Sequence, residues 1–334
     1  MQPQRDVVKL FMQDFNFTVF DKWPKLRPPS SASDYADIDA DEVFDFSLDL
    51  GVNAIYCHAI TINGCALYPS RLAPVSAGNM GTLAPALYER ARKAGLPFWT
   101  YFSIAQDGHM SQTKPQWLVP NTDFLAPETP WTDLLCERIA EFLSICKPDW
   151  IGFDAFTYGS FWPDRFRIRP APFVRPLFEE LFGKAMPEEE ADITPEESRL
   201  YIREVLARQF YRIRDTVREH SPQTKICFNV PFWEPAEAVW VDHPMLRESD
   251  GLIAESANDE LAEYLLTVKA PDQKLFLTLL NFIDGFRHDL SKWQHWLERG
   301  CDFHGYAWGT PPDWRPSARF AEAMASMRTF FHSF

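Results

Sequence analysis

One arrangement recurs about eight times along this chain: a short apolar run rich in β-formers, a polar residue at its C-terminal end, then a stretch of helical periodicity. Strands of four to six residues that alternate with helices call for βα units and a parallel sheet. Eight such units favour closure into a barrel over an open, doubly wound sheet. The expected fold is therefore a single-domain (β/α)8 barrel spanning 1–334. The runs lie at 7–15, 54–57, 98–103, 150–153, 225–228, 252–254, 275–280 and 303–307. Between them, 41–50, 83–94, 131–146, 194–220 and 317–331 carry helical spacing. Gly51 and Gly95 stand where a helix C-terminus favours glycine. Thr194-Pro195-Glu196-Glu197 has the residues of a capping box. The rhythm breaks once, at 156–193, which is rich in Pro, Arg and Phe. So long an excursion in a compact domain is usually functional. It reads as an insertion between the fourth strand and the next helix: a lid, a contact between copies of the chain, or a segment packed on the barrel rim.

Composition narrows the partners. A formal net charge of −14, with no dense basic block, disfavours nucleic acid and anionic membrane. The longest apolar stretches fall short of the ~18 residues of a membrane span. Six cysteines show no CxxC spacing and read as buried free thiols, which fits a reducing compartment. The first residues lack the apolar core of a secretory signal. A cytoplasmic location is the resulting expectation. No GxGxxG or GxxxxGK motif follows any strand, so the main phosphate cradles are missing. The scattered histidines form no HExxH, and the reading calls for no metal and no cofactor.

In a parallel barrel the C-terminal strand ends form the active-site rim. Here they supply Asp14, Asn16, His58, Asp107, His109, Asp154, Asn229, Glu255 and Asn281. Carboxylates, amides and imidazoles around one rim suit a polyhydroxylated ligand. Trp23, Trp233 and Trp308 are candidate ring faces for a sugar. Glycoside hydrolysis usually needs two carboxyl groups across the scissile bond. Asp154 closes the run Trp150-Ile151-Gly152-Phe153-Asp154 and is the candidate nucleophile. Glu255, in the small-residue context Ala254-Glu255-Ser256-Ala257, is the candidate acid, with Asp107 and Glu234 in reserve. Acid work would require a raised pKa. Two rival readings are a sugar-binding barrel without turnover and a metal-dependent lyase or isomerase using His58 and His109.

The segment Cys57-His58-Ala59-Ile60-Thr61-Ile62-Asn63-Gly64-Cys65-Ala66-Leu67-Tyr68-Pro69-Ser70 resembles the second-strand region of α-L-fucosidases. Lys147-Pro148-Asp149-Trp150-Ile151-Gly152-Phe153-Asp154 resembles the strand that bears their nucleophilic aspartate. The run 93–103, Lys114-Pro115-Gln116-Trp117, and Phe182-Gly183 followed by Pro187 are similar to the hypothetical glycosyl hydrolase 6 group. The likeness spans roughly 44–233. It implies a (β/α)8 barrel, a retaining mechanism, Asp154 as nucleophile and His58 as a ligand of a sugar hydroxyl. The acid/base is not fixed by the resemblance, and Glu255 rests on its place at a strand end. The expected substrate is a small saccharide or glycoside.

Overall fold

The structure is a computed structural model that describes residues 6–16, 33–160, 167–230, 243–255, 259–280, 290–310 and 312–334. Eight parallel strands close into one barrel: β1 (Lys9–Gln13), β2 (Ile55–His58), β3 (Phe98–Ser103), β4 (Trp150–Asp154), β5 (Lys225–Val230), β6 (Gly251–Ala254), β7 (Lys274–Leu280) and β8 (Asp302–Ala307). Closure is made by β1 on β8, with Lys9 opposite Phe303 and Gln13 opposite Ala307. The outer ring contains α1 (Ala40–Asp49), α2 (Leu83–Ala94), α3 (Gly108–Thr113), α4 (Trp131–Ile145), α5 (Arg175–Phe182), α6 (Pro195–His220), α7 (Asp259–Val268), α8 (Leu290–Glu298) and α9 (Ala321–Phe331). A two-stranded antiparallel pair, β9 (Gly309–Thr310) and β10 (Asp313–Pro316), follows the last barrel strand.

The helix ends follow from their residues. Asp39 caps α1 by accepting from the Asp41 N–H. Thr194 and Glu197 close the capping box of α6. Gly95 ends α2 at φ 68°, a left-handed conformation that glycine adopts without steric cost.

Strand alternation splits the apolar residues into two cores. Outward side chains such as Phe11, Phe102, Phe153 and Phe228 pack against the helices. Inward ones fill the barrel: Leu10, Met12, Tyr56, Trp99, Tyr101, Trp150, Cys227, Ile253, Phe276 and Tyr306. Trp99 and Trp150 stack at 4.5 Å with planes 5° apart, and Phe276 meets both edge-on. This aromatic plug closes the barrel below the strand ends.

At the N-terminal rim, acidic and amide side chains secure the strands. Asn53 accepts from the Lys9 N–H, Asp149 from Phe98, Asp250 from Ile226 and Asp302 from Val8, each at 2.8 Å. Asp302 also meets Lys274 Nζ at 3.1 Å.

The described part of 156–193 packs on the barrel rather than standing apart. Phe156 lies against Phe210 and Phe228, and Val174 and Phe178 are buried. The Tyr158 and Tyr201 hydroxyls both donate to Glu128 Oε1, at 3.0 and 2.5 Å, joining this segment to α6 and to the connection before α4. Burial raises the Glu128 pKa above the ordinary carboxylate range, which suits a glutamate among phenols.

Candidate active site

Inward parity carries three strand-end side chains to the mouth of one cup: Asp154 from β4, Asn229 from β5 and Glu255 just past β6. The strands are adjacent, with Phe153 beside Phe228 and Asn229 beside Ile253. The Asn229 amide nitrogen lies 2.9 Å from Asp154 Oδ1 and 2.9 Å from Glu255 Oε2. The two carboxyl oxygens are thus at most about 5.8 Å apart, the sum of the two hydrogen-bond distances.

A phenol holds the far side of each carboxyl group. Tyr101 donates to Asp154 Oδ2 at 2.7 Å, and Tyr306 donates to Glu255 Oε1 at 2.9 Å. The result is a continuous hydrogen-bonded belt, Tyr101–Asp154–Asn229–Glu255–Tyr306, drawn from β3, β4, β5, the end of β6 and β8. Asp154 Oδ1 also accepts from the Ala155 N–H at 2.6 Å. Ala155 sits at φ 57°, one of two non-glycine residues with positive φ among the described residues. Such backbone is uncommon for residues with a Cβ and concentrates at functional sites.

Glycine makes room beneath this belt. A Cβ on Gly152 would lie 2.4 Å from the Tyr56 hydroxyl. A bare strand position in β4 therefore admits a phenol from β2 under the carboxyl pair.

The electrostatics of the cup bear on Glu255. Burial, then the negative charge of Asp154, pushes the Glu255 pKa up to about 8; hydrogen bonds from Tyr306 and Asn229 oppose the rise. Burial, and after it neighbouring acidic groups that include Asp154 in each case, hold Tyr56, Tyr101 and Tyr306 well above the ordinary phenol range, so all three stay protonated at neutral pH. His304, inside the barrel beside Tyr56 and Tyr306, is pushed down to about 3 by burial and is neutral there.

Other sequence candidates divide. Asp14 is buried, and its charge adds to the rise at Glu255. His58, fully buried at the end of β2, has Nε2 3.7 Å from Asp14 Oδ1 and its ring 4.5 Å from that of Tyr101. Asn16 Oδ1 accepts from the Ile62 N–H at 2.7 Å, tying the first strand end to the loop after β2. Asp107 is engaged elsewhere. It caps α3 through the Met110 N–H and forms a buried 2.6 Å ion pair with Arg138 of α4. His109 lies on α3 against the Gly64 turn rather than in the belt. The Trp308 ring is buried edge-on against Phe320 with Arg319 over it, in the layer outside the barrel, and so offers no open face. Trp23, Trp233, Glu234 and Asn281 lie outside the described residues.

The belt's two phenols, Tyr101 and Tyr306, are the functional candidates that sequence reasoning missed. Each reads as an ordinary apolar residue of a strand. Period-two alternation was the available signal, since it puts Tyr306 on the same face as His304.

Among the described residues no three His, Cys, Asp or Glu side chains converge where they could hold a metal ion. No described helix is long and apolar enough to cross a membrane.

No family model and no curated protein matches this chain. Solved structures do. α-L-Fucosidase isoenzyme 2 from Paenibacillus thiaminolyticus superposes with a TM-score of 0.72 at 17% identity, over 97% of this chain and 49% of that one. The present chain thus spans about half the length of that protein. α-L-Fucosidase AlfC from Lactobacillus casei, in complex with α-L-fucose product, gives 0.52 at 16% identity over 90% and 82% of the two chains. A fucosyltransferase mutant of AlfC gives 0.55 at 14% identity over 97% and 95%. At these identities the shared property is the barrel fold.

Proposed function

We propose that this barrel is a retaining glycoside hydrolase that removes one terminal sugar from a small glycoside. Asp154 is the nucleophile and Glu255 the acid/base. One observation carries the reading: a single amide bridges two carboxyl groups whose nearest oxygens lie within about 5.8 Å. Retaining enzymes place the pair about 5–5.5 Å apart, whereas inverting enzymes need about 6.5–9.5 Å to admit a water.

The chemistry follows from the environments. Glu255 keeps its proton at neutral pH because burial and the Asp154 charge disfavour its ionised form. In the first step an Asp154 oxygen attacks the anomeric carbon. The glycosidic C–O bond breaks, and the Glu255 proton passes to the leaving oxygen. In the second step Glu255, now a carboxylate, takes a proton from water. The resulting oxygen nucleophile displaces Asp154 and releases the sugar. Tyr101 and the Ala155 N–H hold Asp154 in place throughout. Asp14 and His58 stand at the adjacent rim, where they would meet sugar hydroxyls. The likeness to α-L-fucosidase barrels makes α-L-fucosides the first substrates to try.

The test is Asp154→Asn assayed on aryl α- and β-glycosides, α-L-fucosides included. We expect kcat to fall roughly 10³-fold or more with the fold intact. Wild-type-like turnover in that variant would remove Asp154 from the chemistry. Since Glu255 must enter protonated, kcat/KM should also decline as pH rises through about 8.

A further inference from the structure

We propose that Asn229 is a positioning residue whose one amide fixes the spacing of Asp154 and Glu255 and favours the ionised form of Glu255. The kinetic part of this inference rests on the glycosidase reading; the titration part does not.

The geometry is restrictive. A carboxamide has two N–H donors on one planar nitrogen. Here one goes to Asp154 Oδ1 and the other to Glu255 Oε2, both at 2.9 Å. Neither carboxyl group can shift without giving up its bond. The orientation of the amide is set by chemistry: with two carboxyl oxygens in front of it, the nitrogen must face them. The Asn229 Oδ1 is consequently turned away, buried and without a partner among the described residues. The side chain is itself held, since Asn229 is about nine-tenths buried and lies within β5 between its hydrogen-bonded neighbours β4 and β6. The separation expected of a double-displacement enzyme is thus a property of the strand between the two acids.

The amide also acts on the proton. The titratable groups facing Glu255 are Asp154 from β4, Asp14 from β1, Tyr306 from β8 and, from below, Tyr56 of β2. His58 lies against Asp14, and His304 beside Tyr306 is neutral. Both acids beside Glu255 oppose its ionisation. Asn229 and Tyr306 favour it. Removing the amide should therefore raise the Glu255 midpoint, and should do so through a neutral residue that carries no proton of the reaction.

The experiment titrates ¹³C-labelled carboxyl groups in the full chain by NMR, with Glu255→Gln assigning the Glu255 signal. Wild type is compared with Asn229→Ala and with Asn229→Ser, which retains a short polar group. In Asn229→Ala we expect the Glu255 midpoint to rise by about one unit, Asn229→Ser falling between. We also expect kcat to fall at least about tenfold, KM to change less than about threefold, and the alkaline limb of kcat/KM to move with the midpoint. An unmoved midpoint, or a loss confined to KM, would overturn the proposal and leave Asn229 as a sugar ligand only. Failure of both variants to fold would assign Asn229 to the scaffold and overturn it equally. If the wild type hydrolyses no glycoside, the glycosidase reading fails, while the titration still decides the role of Asn229.

Discussion

The two rims of this barrel use the same residue types for opposite ends. At the N-terminal rim Asp149, Asp250, Asp302 and Asn53 each accept a backbone N–H from a neighbouring strand. Their partners are fixed by the chain itself, and the group is spent on register. At the C-terminal rim Asp154 and Glu255 are held mainly by side chains, two phenols and one shared amide, and they press on each other. An acid held by backbone is saturated. An acid held beside a second acid in a buried cup retains a proton affinity that chemistry can use. Between the rims lies the Trp99–Trp150–Phe276 plug, which keeps the two populations apart.

Substitutions at either end should therefore separate activity from stability. The largest contrast is Asp154→Asn, with activity lost and the fold retained; a parallel loss of stability would erase the distinction between the rims. Next is Glu255→Gln, read as stability against pH. The folded-state pKa of about 8 stands above the ordinary 4.5, so the folded protein keeps a proton that the unfolded chain gives up. The contribution of Glu255 is then fully present below about pH 4.5 and is lost as pH rises towards 8. Denaturation curves for the Glu255→Gln variant and wild type should run parallel in acid and diverge above pH 4.5. The variant should become more stable by about 2–4 kcal/mol near pH 8. Curves that stay parallel would place Glu255 with the saturated acids.

At the other rim, Asp250→Ala strands the Ile226 N–H and should cost about 1–3 kcal/mol in denaturant unfolding. Its kcat should stay within about twofold of wild type, because the length of β6 and the aromatic plug stand between it and the cup. The smallest effect concerns the turn that aims Asp154. Ala155→Gly relieves a left-handed residue and should stabilise by about 1 kcal/mol, while loosening the nucleophile enough to lower kcat.

Much of the barrel was legible because its strands are buried on both faces and read as unbroken apolar runs. The bounds of β3 and α2 coincide with those read from the sequence, and Asp154 stands at the end of its strand as expected. The elements α3, α7, α8 and the β9–β10 pair lie outside those readings. The site was legible only in part. Asp107 and Asp154 look alike as acids after apolar runs. What separates them is Arg138, 31 residues downstream, which reaches Asp107 once α4 has packed. Likewise the sequence shows Trp308 as an aromatic after a strand, but not that Phe320 and Arg319 claim its ring. Inter-strand register brings Asn229 between two acids from β4 and β6, and no local pattern encodes register between strands that are distant in the chain.

The most direct measurement is the anomeric configuration of the first sugar released, followed by ¹H NMR before mutarotation, from whichever aryl glycoside the protein cleaves. A carboxyl pair bridged by one amide predicts the same configuration as in the substrate. Release of the opposite anomer, or no release from any glycoside, would contradict the account.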